Sequence, residues 1–496
     1  MHRFTCYPTR QRKNPPNLHG AHLVGNDNVP LRAEIRWEDG VIRCTPRMQD
    51  PVGLSLLWPV EGFGTIQLQT TRLPAREQPY NLHVELARHQ LMRVTVKREE
   101  WGLFDYSGMD DIAARIDQSR DAFIRALQTS DHPEEAAQHA DESLAHGLWA
   151  AEEMSRFHAG VFLGRRQQTG GFGRAFLGVR VAGATVQQAI TKRLGDVFDF
   201  AYVPFIWRSI QPTEQAPAYE AVEAVIKACS TNKLAVRGGP LLAFGVSSVP
   251  DWMYIWENDF ESIYEAAREH VERTVQRFAR QVTSWVVASG LQADNVFGFS
   301  FEQTMELTRM AATVTKQIAP RAQVLIDLNQ PWGEYYARNQ QTVPPLLYAD
   351  MAVQSGINFD GFGLQFLFGI GSDGYHLRDP FQVSALIDKL ANLGKPLHVT
   401  ALGAPSCVAP DSQNGTTPGG EWHGPWSDAV QADWLTTLCE IALSKPYVDT
   451  VCIQTLVDQP DDVIASGGLL HANLTPKPAF GRLLEMRKRL IAGGEP

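Results

Sequence analysis

From Phe176 onward, short apolar runs alternate with longer segments of helical periodicity, and they do so eight times. The runs are Phe176 to Val181, Phe198 to Pro204, Leu234 to Phe244, Ser284 to Ala288, Val324 to Leu328, Gly361 to Phe368, Leu397 to Leu402 and Val448 to Leu456. A strand followed by a helix and then another strand brings the chain back to the same end of the sheet, so the strands pair in parallel. Eight such units over about 320 residues predict a closed (β/α)8 barrel with some enlarged loops. The helix starts agree. Thr185-Val-Gln-Gln188 and Ser300-Phe-Glu-Gln303 are capping boxes, and Asp379-Pro380 is an N-cap followed by proline at the first helical position. The helix that follows, Phe381 to Leu393, places Val383, Leu386, Ile387 and Leu390 on one face.

The chain ahead of the barrel has a different texture. Leu31, Ala33, Ile35 and Trp37 alternate with polar residues before a Glu38-Asp39-Gly40 turn into Val41-Ile-Arg-Cys44, as in a β-hairpin. From Tyr80 to Arg165 the residues are rich in Ala, Glu and Leu, with helical runs at Met109 to Leu127 and His132 to Phe162. Residues 1–75 are therefore expected to form a small β unit, 76–168 an α-helical segment packed on the barrel, and 169–496 the barrel itself, with Gln167 to Gly171 as a short linker.

With 44% hydrophobic and 20% charged residues the chain has none of the composition of a disordered protein. A formal net charge of -10 argues against a nucleic-acid backbone as partner and leaves neutral ligands. Met1 to Pro16 is basic and polar without the apolar core of a secretory signal, and no stretch reads as a membrane span. The six cysteines, Cys6, Cys44, Cys229, Cys407, Cys439 and Cys452, are scattered as free thiols of a reducing compartment would be. Cytoplasm is the expected compartment, with secretion left open, and oligomeric state has no sequence signal.

Five segments, in order and in register, resemble landmarks of family 10 glycoside hydrolases, the endo-xylanase family, from Arg174 to Leu490. Val236-Arg-Gly-Gly239 through Pro250-Asp-Trp252 resembles the motif V-R-G-H-T-L-V-W-H-S-Q-x-P-x-W, and Ile326-Asp-Leu-Asn329 resembles I-N-D-Y-N. Asp360-Gly-Phe-Gly-Leu-Gln365 resembles D-G-I-G-x-Q, and Leu393-Gly-Lys-Pro-Leu-His-Val-Thr400 resembles L-G-L-P-I-H-I-T. Gly468-Leu-Leu470 followed by Pro476-Lys-Pro-Ala-Phe480 resembles the closing G-L-L and P-K-P-A-Y.

The departures fall on the chemistry. Where the family has W-D-V-V-N-E, this chain has Trp285-Val-Val-Ala-Ser-Gly290, so the resemblance places Gly290 at the acid/base and Ser289 at the preceding asparagine. Ala401 follows Val399-Thr400 at the position of the nucleophile. Of the sugar-gripping E-N-x-M-K-W, Tyr202-Val-Pro-Phe-Ile-Trp207 keeps only Trp207. Leu367 and Gln454 stand for a histidine and a tryptophan, while Asp458 of W-G-x-x-D remains. Retaining glycosidases need a nucleophilic carboxylate and a carboxylic acid about 5 to 5.5 Å apart, and neither glycine nor alanine supplies one.

Replacement carboxylates at strand ends are Asp327 and Glu334 after strand five, Asp458 after strand eight, Glu421 in the loop after strand seven, and Glu302 at a helix start. Each also has a structural explanation; Glu302, for one, suits the positive end of a helix. The candidate substrate contacts are Trp207, Trp252, Asn329, Trp332, Gln365, Trp422, His423 and Gln454. Trp422, His423 and Trp426 close a long Gly- and Pro-rich loop, Ala404 to Trp426, and are read either as a sugar-stacking wall or as aromatics that pack their own loop. Gly369-Ile-Gly-Ser-Asp-Gly374 matches G-x-G-x-x-G but does not open a helix, so it is read as a barrel loop. His376 and His423 lack metal-ligand spacing, and neither metal nor cofactor is expected. The reading is a carbohydrate-recognising barrel of this family's type without its glutamate pair; the alternatives are a hydrolase or lyase with relocated carboxylates, and a structural protein that assembles through residues 31–165.

Overall fold

A computed structural model describes residues 1–8, 16–47, 50–169, 171–172, 175–182, 186–190, 194–408 and 419–492. Eight strands precede the helical segment: β1 (His2–Thr5), β2 (His22–Val24), β3 (Pro30–Leu31), β4 (Ala33–Glu38), β5 (Val41–Pro46), β6 (Gly53–Val60), β7 (Gly64–Gln69) and β8 (Tyr80–Asn81). They divide between two sheets, one ordered β4-β5-β1-β8 and the other containing β7-β6-β2-β3. The hairpin expected at Glu38-Asp39-Gly40 joins β4 to β5, with positive φ at both Asp39 and Gly40, as a two-residue turn matched to strand twist requires.

Three helices follow: α1 (Leu82–Glu100), α2 (Asp110–Gln128) and the 36-residue α3 (Pro133–Gln168). They pack on one another and on the barrel. The carboxylate of Asp388, in a barrel helix, accepts from Trp101 Nε1 at 3.0 Å and pairs with Lys97 at 3.3 Å and Lys445 at 2.8 Å. One continuous apolar core runs from Trp58 and Phe63 through Leu144 and Leu148 to Trp422 and Trp434.

The barrel closes in parallel register from β9 (Leu177–Arg180) through β10 (Phe200–Pro204), β11 (Ala235–Gly239), β12 (Val282–Ser289), β13 (Gln323–Leu328), β14 (Gly361–Leu367) and β15 (Leu397–Gly403) to β17 (Val448–Ile453), which pairs back with β9. Each of the eight apolar runs overlaps a barrel strand. Two end early: β11 stops at Gly239 and β17 at Ile453, where the chain turns out of the ladder. Between β15 and β17, the short β16 (Glu421–Trp422) leaves the barrel and pairs antiparallel with β7. The helices are α4 (Val186–Ala189), α5 (Leu194–Val197), α6 (Trp207–Ile210), α7 (Glu220–Thr231), α8 (Phe260–Phe278), α9 (Phe301–Ile318), α10 (Tyr335–Arg338), α11 (Pro345–Gln354), α12 (Pro380–Ala391), α13 (Asp428–Ser444) and α14 (Pro478–Ala492).

The capping box expected at Ser300 forms with Gln303 on α9, and the expected N-cap Asp379 makes a capping box with Gln382 on α12; Thr185 lies outside the described residues. Val383, Ile387 and Leu390 of α12 are buried, whereas Leu386 is half-buried. The barrel interior is filled: Phe200, Tyr202, Val286, Leu325 and Cys452 form a cluster, and the Arg237 guanidinium lies 3.7 Å from the Phe200 ring centroid.

Candidate functional site at the barrel mouth

Parallel strands all end at the same face, so their last residues meet there, and in this barrel they meet around Asp327. Asp327 is 2% exposed at the end of β13. Its Oδ1 accepts from Thr400 Oγ1 of β15 at 2.8 Å, and its Oδ2 accepts from Gln365 Nε2 of β14 at 2.8 Å. The hydroxyl of Ser289, at the end of β12, lies 3.4 Å from Asp327 Oδ2 and 3.0 Å from Asn329 Oδ1, and with one proton it donates to one of them at a time. The backbone carbonyl of Asn329 accepts from Gln292 Nε2 at 2.9 Å. Burial pushes the Asp327 carboxyl up to about 6, against the hydrogen bonds from Gln365, Thr400 and Ser289 that favour its charged form. Gly363 makes room for it, because a Cβ at that position would fall 1.6 Å from Asp327 Oδ1.

The neighbouring strand ends carry no acid. Gly290 has φ +69°, and a Cβ there would lie 2.6 Å from Asn329 Nδ2. Ala401 pairs in register with Gln365 and packs with Leu367 and Ile464, beside Ile370 and Tyr375.

The other carboxylates are engaged elsewhere. Glu334 is buried: Arg378 donates to its Oε1, and Gly374 N donates to its Oε2 at 2.7 Å, with His376 Nδ1 at 3.3 Å. Burial alone would raise its pKa, but the Arg378 charge, with His376 and His22, holds the carboxyl well below the usual range. Gly374 of the G-x-G-x-x-G run thus serves a buried carboxylate inside the protein. Asp458 Oδ1 accepts from the buried Lys477 ammonium at 2.7 Å and from Gly468 N at 2.8 Å. Glu421 sits in β16 opposite Thr65, at the edge of the N-terminal sheet. Glu302 is exposed at the first turn of α9 and accepts from Ser300 Oγ at 2.9 Å.

The aromatic candidates also separate. Trp422 is 1% exposed, its Nε1 donating to Glu152 Oε2 of α3 at 2.9 Å, and Trp426 is 3% exposed, so neither ring offers a stacking face to a sugar. His423 lies between Trp422 and Trp149, with ring centroids at 4.1 and 4.6 Å, and its Nε2 is 3.1 Å from Glu152 Oε2. Burial of Glu152 raises its pKa, but His423, Arg156 and Trp422 together bring it below the usual value. Trp207 is buried against His270, ring to ring at 4.4 Å. Trp252 is half-buried and donates from Nε1 to Gln211 O at 3.0 Å. Gln454 is buried, with its backbone N donating to Leu402 O at 2.9 Å. Trp332 is half-buried, 5.2 Å below the Arg378 guanidinium. Of the residues singled out from sequence, the structure brings together Asp327, Asn329 and Gln365. Thr400 and Ser289 complete their network, and only their positions in the motifs hinted at it.

The model of glycosyl hydrolase family 10 matches residues 171–486. The chain belongs to glycosyl hydrolase family 10. Similar solved structures are xylanase 10B of Thermotoga petrophila RKU-1 in complex with xylobiose (16% identity, 66% of this chain and 97% of that one, TM-score 0.48), native xylanase 10B of Thermotoga maritima (16%, 66% and 98%, 0.48) and a family 10 protein of Paenibacillus barcinonensis (19%, 64% and 96%, 0.48). No curated protein matches. Of the five candidate carboxylates, Asp327 alone joins the strand-end network. Among the described residues, Glu334, Asp373 and His376 bring possible metal-ligand atoms within 4.8 Å of one another, but Arg378 already neutralises Glu334. No described helix is long and apolar enough to cross a membrane.

Proposed function

We propose that this family 10 protein binds a glycan at the barrel mouth without cleaving it by paired carboxylates. One observation carries the reading: Asp327 is the single candidate carboxylate in the network of Ser289, Asn329, Gln365 and Thr400, and it is spent on internal hydrogen bonds. The backbone at Gly290 and the apolar packing at Ala401 support it, since an acid at either place needs room or solvation that the surroundings do not provide. Asn329 and Gln365, both half-buried at the strand ends, are the neutral amides that would meet sugar hydroxyls.

Affinity electrophoresis through gels containing soluble xylan or other polysaccharides tests the binding half. Retardation that is weakened by Asn329→Ala is the expected result; migration unaffected by every polysaccharide would refute glycan recognition. One observation favours a second reading. A carboxyl with its pKa near 6 can protonate a leaving oxygen, so a hydrolase acting through Asp327 alone would show turnover that Asp327→Asn removes.

A further inference from the structure

Away from the strand ends, a groove of about 860 Å³ lies between the N-terminal unit and the barrel. One wall comes from β2, residues 26–30, the end of β7 and α1; the other comes from residues 331–332, the start of α11, and α12. Four cationic side chains line it, Arg72, Arg93, Arg378 and Lys389, against one carboxylate, Asp27. Three of the cations are engaged: Arg378 with Glu334, Lys389 with the Asp27 carbonyl oxygen at 2.8 Å, and Arg72 with Asn26 Oδ1.

Arg93 is different. It projects from the middle of α1, half-buried, with its guanidinium 4.9 Å from the Phe381 ring centroid and no hydrogen-bond acceptor or ion-pair partner among the described residues. Asp379 acts on it electrostatically without a hydrogen bond between them: Asp379 Oδ1 accepts from Gln382 N at 2.7 Å at the α12 N-cap, and its Oδ2 is buried without a donor among the described residues. Burial lowers the Arg93 pKa, with the Asp379 charge working against the shift and the Arg378 charge adding to it. A half-buried guanidinium whose donors meet no acceptor among the described residues and still reach solvent in the groove is matched by a planar two-oxygen anion that it can grip bidentately.

The groove is within the usual size of an organic-ligand pocket, larger than an inorganic anion needs, and the half-buried indole of Trp332, beneath the Arg378 guanidinium, is part of its lining. An aromatic face beside a carboxylate-binding fork suits a sugar ring that bears an acid group. We infer that this groove binds a uronate residue of an acidic glycan, with Arg93 gripping the carboxylate and Trp332 meeting the ring. That the carboxylate is carried on a sugar rests on the glycan reading of the barrel; that the ligand is a carboxylate rests on the groove alone.

Calorimetry on the full chain tests this with a galacturonate trimer, the same trimer with its carboxyls reduced, a neutral xylose trimer and inorganic phosphate. The acidic trimer should bind, and Arg93→Gln should weaken it by about 10- to 100-fold, the worth of charge-assisted hydrogen bonds in a partly desolvated site. Arg93→Lys, which keeps the charge and loses the fork, should fall between, and thermal melts of both variants should match the wild type. Trp332→Ala should weaken the acidic trimer while leaving its salt dependence in place. Equal affinity for the carboxyl-reduced trimer, or an Arg93→Gln variant that binds as well as the wild type, would overturn the inference. Phosphate binding as tightly as the trimer would overturn the sugar assignment. Retardation by neutral polysaccharide and its loss in Asn329→Ala report on the barrel mouth, so either site can fail without the other.

Discussion

Gln365 on β14 donates its side-chain amide to Asp327 on β13 at 2.8 Å, across adjacent barrel strands. A carboxylate held this way from two sides, by Gln365 and by Thr400, is a strut of the barrel mouth before it is anything else. Its charge is nonetheless costly to bury.

Asp327 should leave a signature in the pH dependence of stability. Its carboxyl is raised from 3.8 to about 6 in the folded protein, so between those values the folded state binds more protons than the unfolded one, and stability falls as pH rises through that window. A shift of about two units corresponds to at most about 3 kcal/mol. Urea unfolding at pH 4 and pH 7 should show the wild type losing stability relative to Asp327→Asn by up to that amount. Parallel pH profiles for the two proteins would mean that Asp327 titrates normally.

Gly290→Ala should destabilise. The residue has φ +69°, where a side chain costs about 1–2 kcal/mol, and the added methyl meets Asn329 Nδ2. Pairing it with Asn329→Ala should relieve the steric part and leave the backbone part, which a double-mutant cycle separates. A neutral Gly290→Ala would contradict the backbone geometry at this strand end.

Glu334→Gln should cost about 3–5 kcal/mol, because it leaves the buried Arg378 without its counter-charge. The Glu334 carboxyl is depressed from its ordinary 4.5, so the stability it contributes is present above that value and is lost as pH falls below it. Melting curves from pH 3 to pH 7 should show the gap between wild type and variant narrowing toward the acid end.

The barrel was legible because its evidence is local: each apolar run and each cap, Ser300 with Gln303 and Asp379 ahead of Pro380, is read within a few residues. Asp327, Asn329 and Gln365 were legible because strand-end positions in a barrel converge by construction of the fold. What could not be read depends on distant pairings. Trp422 looks like a surface aromatic in a loop until Glu152, 270 residues earlier in the chain, turns out to accept its indole N–H. Glu334 looks like a free acid until Arg378 is folded against it. Arg93 is one polar residue among many in its helix, and only the docking of α1 beside α12 makes its guanidinium part of a groove wall.

The release of reducing ends bears most directly on the central claim. Purified wild-type protein incubated with xylan and with a panel of other plant and algal polysaccharides between pH 4.5 and 7, beside an active family 10 xylanase and the Asp327→Asn variant, should release no more than the variant does. Release by the wild type that is sustained over many turnovers and absent from Asp327→Asn would contradict the claim and make Asp327 a catalytic acid.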